Sequence, residues 1–548
     1  MPHVEVVPLG GAAEIGKNMT VLRQDGQIVV VDAGLGFPHE DLPGVETVLP
    51  DWTFLRAHED ELVAVILTHG HDDHIGALPH FMSQFDVPVI GPPLAAAMAA
   101  RKVAERDSEA AKRIRTFPNY DSFDVGPFTV RPIHVTHSMP DSYSLAFSTA
   151  AGTILVSGDF KFDPSTPDKK ETDVAKLREV GEEGVQLLLC ECTNAEAKGV
   201  SLSEADAAQG IDAVIANAPG RVFVTCFSSS VHRIRHVFDS AKRHGRFVAA
   251  AGRSMAQNIE TAASIGLLEI PKDIYIDTYD TDQYEDRELV ILATGSQGES
   301  LAALSQMSRQ EYGRLQIRPG DTVIYSARPI PGNEDRIWAV INGLFRLGAN
   351  VVYGPEVRVH ASGHGYLDEL LQYIELTKPA LIGAVHGEPR HQHRLMEAVS
   401  TLGYSRENVI PLENGQRLIV EEDSAYFGDD VPTGVVYVDR WGKTGLTREA
   451  IGQRREMAAN GTVFAGIAVD PESRCVVGDV SLAARGISAL DGWEELFAER
   501  LCAHVEGLSA GEFSETAKVS AACEKFARQY LKQRHEMTPV VSVAVVFV

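Results

Sequence analysis

The segment Leu67-Thr-His69-Gly-His71-Asp-Asp73-His74 limits what this chain can be more than any other feature. It follows the apolar run Leu62–Leu67, so a strand delivers three imidazoles and a carboxylate into one loop. A single histidine is usually an ordinary surface or core residue, whereas HxHxDH at a strand end is a ligand cluster. Imidazole suits borderline ions such as zinc or manganese, and a neighbouring carboxylate suits a water-carrying catalytic site. Ligands so close in sequence point in different directions and cannot easily serve one ion. Two ions sharing the loop is therefore the expectation, and such a pair can clamp the attacking and leaving oxygens of a phosphoryl centre. Later strands meet their loops at further candidates: His137 after Val130–Val135, Asp159 after Thr153–Ser157 and His386 after Pro379–Val385. Strand–loop junctions are the usual address for ligands in layered α/β folds.

The first 160 residues alternate short β-branched runs with Gly/Asp turns, several apolar throughout as in strands buried on both faces. A second strand–helix alternation begins near Ser203, with runs at Arg221–Cys226, Phe247–Ala251, Leu289–Ala293 and Thr322–Ser326. Beyond Glu421 the acidic, turn-rich EEDSAYFGDDVPTG reads as a linker or loop. The last hundred residues form their own unit, with a helix in Ser514–Arg534 and a closing strand Val540–Val548. No apolar run reaches the roughly 18–20 residues that span a bilayer. The start lacks the basic and apolar regions of a secretory signal, and the six cysteines form no stapling pattern. A cytoplasmic protein with reduced thiols and no membrane association is expected. The net charge of −26 argues against a general basic surface, so contact with a polyanion must be local. Its plain alternative is acidity that serves solubility.

The ligand set resembles that of the metallo-β-lactamase superfamily, an αββα sandwich with metals at one edge of two packed sheets. The resemblance implies that His69, His71 and His137 hold one ion and Asp73, His74 and His386 the other. Asp159 bridges them, and Asp32 in Val31-Asp32-Ala-Gly supports the site from behind. The long stretch between Asp159 and His386 leaves room for an inserted domain, as in the nucleic-acid-cutting β-CASP branch. Glu191 and His364 resemble that branch's first and second markers, and His386 its third. The segments Gly10-Gly-Ala-Ala-Glu14-Ile-Gly16-Lys-Asn18, Thr294-Gly-Ser-Gln297-Gly-Glu299, Ile330-Pro-Gly-Asn333-Glu334 and His386-Gly-Glu-Pro-Arg390-His391 are similar to the ribonuclease J family across at least the first 420 residues. Cys190 and Cys192 depart from that pattern and read as buried core thiols, the alternative being adventitious ligands.

The implied architecture is α/β. A metallo-β-lactamase αββα sandwich (1–205 and 366–425) carries an inserted α/β β-CASP domain (206–365). A linker (426–455) leads to a small α+β C-terminal domain (456–548). The implied activity is metal-dependent hydrolysis of RNA phosphodiesters, 5′→3′ from monophosphate ends and also internally, in RNA processing and decay. Asp73 would orient the attacking water or take its proton, His364 would bind the scissile phosphate and assist the leaving 3′ oxygen, and Glu191 is the remaining catalytic candidate. A phosphate pocket is expected from Ser228, Ser230, His232 and Arg233 at a helix start, with His360, Ala361, Ser362, Gly363 and His364 opposite. The alternative there is an N-cap with solvated arginines. Family analogy also implies a structural calcium near Gly44, Glu46 and Asp439, and a homodimer or higher homo-oligomer through the C-terminal domain. The expected partners are single-stranded RNA and an RNA-degradation complex. The rival functions are another β-CASP nuclease, acting on DNA or on 3′ ends, and a small-molecule metallo-hydrolase.

Overall fold

The computed structural model describes residues 2–38, 42–313, 315–354, 357–439, 441–487 and 492–548. The chain divides into two compact units, Met1–Phe37 with Val48–Val436 and Pro38–Thr47 with Tyr437–Val548.

Two sheets form the centre of the larger unit. One has eight strands, with Val4–Gly10, Met19–Gln24, Gln27–Val31 and Leu62–Ile66 in its middle. The other has seven, with Leu381–Val385, Val185–Glu191, Gly152–Val156, Ser142–Thr149 and Phe128–Val135 in sequence across it. Successive strand residues face opposite sides, and this sorts the apolar side chains into layers. Leu187 and Leu189 join Val6, Val29 and Ile66 between the sheets. Leu188 and Cys190 face the other way, against Leu177, Leu370 and Tyr373 of the covering helices. Burial on both faces is why these strands read as continuous apolar runs.

Gly152–Val156, Val185–Glu191 and Leu381–Val385 pair in parallel, so their C-terminal ends meet at one edge. Parallel neighbours need a crossover, and the last one contains the inserted domain. That domain is a parallel six-stranded sheet from Tyr275–Ile276 to Asn350–Val352, with Val222–Thr225, Phe247–Ala251, Leu289–Ala293 and Thr322–Tyr325 inside it.

The insertion is tied to the sandwich by buried charge. Lys161 is fully buried, with Nζ 2.8 Å from Asp163 and 3.6 Å from Glu204. Glu204 in turn takes both guanidinium branches of Arg233. Two cations thus face two carboxylates where the helices Glu204–Asn217 and Val231–Arg243 meet the sandwich.

In the smaller unit Thr462–Asp470 pairs with Ser481–Arg485 on one side and, in parallel, with Val540–Phe547. Helices Trp493–Glu506 and Thr516–His535 close its core around Phe497, Leu501 and Val541. The stretch expected as a 426–455 linker carries regular structure instead. It holds the strands Val435–Asp439 and Thr444–Leu446, then the helix Arg448–Asn460 with Thr447 Oγ1 accepting from Ala450 N. Only Ile451 of that helix is buried, so it shows no apolar stripe to read. No helix among the described residues is long and apolar enough to cross a membrane.

Breaking a buried pair leaves a charge uncompensated, at about 3–5 kcal/mol. Arg233→Met should therefore lower the thermal midpoint at neutral pH, as followed by calorimetry. Burial works against ionisation of Glu204 and Asp163, but Arg233 and Lys161 outweigh it and hold both carboxyls below their ordinary values. Their contribution is complete above the unfolded carboxylate range of about pH 4–5. It is lost as pH falls through the depressed folded values, and Arg233→Met should flatten that acid limb.

Candidate metal centre

Asp32 organises the first ligands from behind. Its carboxylate, 4% exposed, accepts from Thr68 N at 2.8 Å and Thr68 Oγ1 at 2.7 Å, and from His74 Nδ1 at 2.7 Å. The Thr68 hydroxyl hydrogen goes to Asp32, so Thr68 Oγ1 accepts from His69 Nδ1 at 3.0 Å. His137 Nδ1 donates to the carbonyl of Gly363 at 2.7 Å. Each contact fixes a tautomer: His69, His74 and His137 all turn an Nε2 lone pair inward.

Those lone pairs converge. His71 Nδ1 lies 3.1 Å from His69 Nε2 and 2.9 Å from His137 Nε2. One proton on His71 can satisfy one of these neighbours and not both. Asp159, 2% exposed, places Oδ2 at 3.5 Å from His69 Nε2 and 3.2 Å from His74 Nε2, yet this oxygen has no hydrogen-bond partner. His386 Nε2 is likewise buried without one, 3.2 Å from Asp73 Oδ2. His69, His71, His137 and Asp159 form one set of ligand atoms lying within 4.8 Å of one another, and Asp73, His74, Asp159 and His386 form a second.

The electrostatics ask for positive charge. Burial lowers His69, His71 and His137, with His71 brought down to about 4, so these are neutral ligands at pH 7. Burial also opposes charge on His74 and His386, but Asp159 and neighbouring carboxylates override it and lift His386 to about 10. Asn18 Nδ2 donates to the backbone oxygen of Asp73 at 3.1 Å, which orients its amide and aims a donor at His74 Nε2, 3.0 Å away. A carboxylate and an N–H donor thus face the same nitrogen. Divalent cations satisfy this donor set better than protons do, and the residues fit a pair of them.

Asp159, Glu191, His364 and His386 form a third close group. Glu191 Oε1 accepts from Phe160 N at 2.8 Å and Oε2 from His364 Nδ1 at 2.7 Å, so the histidine presents Nε2 to the open side. Burial would lower His364, but Glu191 and Asp159 raise it. Cys190 and Cys192 are buried core thiols and join none of the ligand groups.

A cavity of about 510 Å³ opens over the centre, lined by His71, Asp73, His137, Asp159, His364 and His386. Ser228, Ser230, His360, Ala361, Ser362 and Gly363 line it too, as expected for a phosphate pocket. Ser230 stands at the N-terminus of Val231–Arg243 without a side-chain cap, which leaves its hydroxyl available. Two expectations are corrected here. Arg233 touches the cavity, but its guanidinium is committed to Glu204, Ser326 and the carbonyls of Val359 and Ala361, so it braces the wall. His232 is buried and is not among the residues lining the cavity. The helix turns both side chains inward, a direction their position in sequence does not disclose.

The calcium expectation gains nothing. Asp439 Oδ1 accepts from Trp441 N and Lys443 N within its own turn, and the Arg454 guanidinium faces the carbonyls of Pro43 and Gly44. The Glu46 side chain lies outside the described residues. Asn18 and Thr68 are contributors that sequence reasoning missed; the only signal was their place inside the motifs around Gly10 and His69.

Comparison with known proteins agrees with this geometry. Residues 13–215 match the metallo-beta-lactamase superfamily, 219–344 the ribonuclease J beta-CASP domain, and 355–411 the Zn-dependent metallo-hydrolase RNA specificity domain. Ribonuclease J of Thermus thermophilus is 40% identical over 84% of this chain and 82% of its own length. The chain belongs to the ribonuclease J family. Ribonuclease J of Synechocystis is 38% identical over 85% of this chain and 73% of its own, and that of Mycobacterium tuberculosis 33% over 99% and 97%. A solved protein of unknown function from Enterococcus faecalis aligns with TM-score 0.53 at 15% identity, covering 76% of this chain and 100% of its own, and speaks to the fold alone.

The two ligand sets lead to an expected content of about two divalent ions per chain by elemental analysis. Asp159→Asn should remove both, and Asp32→Ala should weaken affinity by about 10–100-fold. Gly363 carries a separate expectation, because a Cβ there would lie 2.6 Å from His137 Cε1. Gly363→Ala should lower metal content with the fold retained by circular dichroism.

Proposed function

We propose that this protein is a two-metal ribonuclease that cleaves single-stranded RNA, 5′→3′ from monophosphorylated ends and also internally. One observation carries the reading: Asp159 joins two ligand sets in a cavity that a serine turn at a helix start also lines. Two ions held there by His69, His71, His137, Asp73, His74, His386 and Asp159 would supply Lewis acidity, acidifying water at the site and offsetting charge on phosphoryl oxygens. Zinc and manganese both suit the ligand set.

The chain's own groups do the rest. The Asp73 carboxylate stands at the ligand edge, placed to orient a water or take its proton. His364, held through Nδ1 by Glu191, presents Nε2 to a scissile phosphate and can hand a proton to the departing 3′ oxygen. The Ser228–Ser230 turn and Ser362 offer hydroxyl and backbone donors for a 5′-terminal phosphate. Assembly as a homodimer or larger homo-oligomer through the C-terminal domain belongs to the same proposal. It is supported by Val540–Phe547, which has one strand partner among the described residues. A cytoplasmic location, supported by six unpaired cysteines, and recruitment into an RNA-degradation complex belong to it as well.

The test is an internally labelled single-stranded RNA with a 5′-monophosphate, triphosphate or hydroxyl, run beside a matched DNA strand. Mononucleotide release fastest from the monophosphate, and absent with His74→Ala, is the expected result. Intact RNA with either metal would sink the reading. His364→Asn should lower kcat by about 10²–10⁴-fold and remove the limb of its pH profile that reports the acid.

A further inference from the structure

Three basic side chains other than histidine line the cavity among the described residues: Lys102, Arg233 and Arg328. Lys102 is paired with Asp72 at 2.9 Å, and Arg233 with Glu204 at 3.1 Å. Arg328 is exposed and makes no ion pair or hydrogen bond through its guanidinium among the described residues. Its recorded contact is with an aromatic face, Cζ lying 5.8 Å from the centroid of the Tyr366 ring. Tyr366 is two residues beyond His364 and opens the helix Leu367–Thr377, so the uncommitted cation stands beside the segment that carries His364.

The backbone beneath Arg328 is held with unusual care. Gln297 is 2% exposed, and its Nε2 donates to Arg328 O at 2.8 Å. Its Oε1 accepts from Ile330 N at 2.8 Å and from Asn333 Nδ2 at 3.4 Å. One buried amide therefore grips the chain on both sides of Pro329. Burying a side-chain amide is unfavourable unless its bonds are made, and here they go to the turn that presents Arg328. The field of Arg328 also reaches the pocket wall: burial first, then Arg233 and Arg328, brings His360 down to about 3.

A guanidinium is always charged and matches two oxygens of a phosphate with its planar fork, and an aromatic face can hold that plane. On a chain of net charge −26, an exposed cation that lines a cavity and has no ion pair among the described residues is a site for a polyanion. We propose that Arg328 grips an internal phosphodiester of the RNA strand entering the cavity, and that Gln297 is the residue that positions it. This rests on the ribonuclease reading. It concerns the body of the strand and not its 5′ end, because the serine turn and Ser362 already offer donors to a terminal phosphate.

The experiment is steady-state cleavage by the metal-loaded enzyme of 5′-monophosphate and 5′-hydroxyl RNAs of one sequence, across a salt series. For Arg328→Ala the expected result is a KM raised about 10-fold on both substrates, with most of the loss in kcat/KM coming through KM. One phosphate contact fewer should also flatten the plot of log KM against log salt by about 0.7. Arg328→Lys should keep the wild-type slope and recover part of the KM. Gln297→Ala should repeat the Arg328→Ala shifts, and the double variant should be no worse than Arg328→Ala alone. A wild-type KM and slope in Arg328→Ala would overturn the proposal, as would a loss confined to kcat or to the monophosphate substrate. Wild-type enzyme that leaves RNA intact would remove the ribonuclease reading and this proposal together. Wild-type cleavage with an indifferent Arg328→Ala would remove this proposal alone.

Discussion

Asp159 stands at the C-terminal end of Gly152–Val156 with one carboxylate oxygen among His69, His74 and His137 and the other 3.1 Å from His386 Nδ1. A carboxylate this buried is tolerable only where cations or many donors surround it. Meeting that demand takes histidines from three loops on two sheets. The parallel pairing of Gly152–Val156 with Val185–Glu191 and Leu381–Val385 brings Asp159, Glu191 and His386 to one edge, His137 follows Phe128–Val135 of the same sheet, and the face-to-face packing of the second sheet brings His69, His71 and His74. The orienting contacts of Asp32, Thr68 and Gly363 then turn lone pairs inward. The geometry of the sandwich and the chemistry of the floor are thus one arrangement seen from two sides.

The acidity of the chain takes on a structural meaning alongside this centre. Most of the positive charge near the cavity is already spent: Lys161 and Arg233 neutralise Asp163 and Glu204 inside the fold, and Lys102 neutralises Asp72. What remains for an anionic strand is local. It consists of the ions the ligand sets can hold, hydroxyls at a helix start, and Arg328. Such a surface disfavours indiscriminate adsorption to nucleic acid and favours strands that can thread to the floor.

Much of this was legible in the amino-acid sequence. The ligand residues carry their own signature, because His and Asp at strand ends have few other reasons to cluster, and the apolar runs gave the strands that carry them. The directions of side chains on helices were not legible. His232 and Arg233 follow three serines and look like phosphate ligands, yet the amphipathic helix Val231–Arg243 rotates both into the interior. The helix Arg448–Asn460 was hidden for the opposite reason, since a helix with one buried residue has no periodicity to detect. Asn18 and Gln297 act through a few hydrogen bonds and Arg328 through one ring contact, which no spacing rule encodes.

The crossover between Val185–Glu191 and Leu381–Val385 has a bearing on when the enzyme comes into being. His386 follows the last of the three parallel strands, which is added beside Val185–Glu191 only after the whole inserted domain has been synthesised. A chain still emerging from the ribosome therefore carries six of the seven side chains of the two ligand sets and an open seam where the final strand belongs. Chain order keeps the second ligand set incomplete until residue 386 has been added, so a growing chain cut short before that point holds no finished second set.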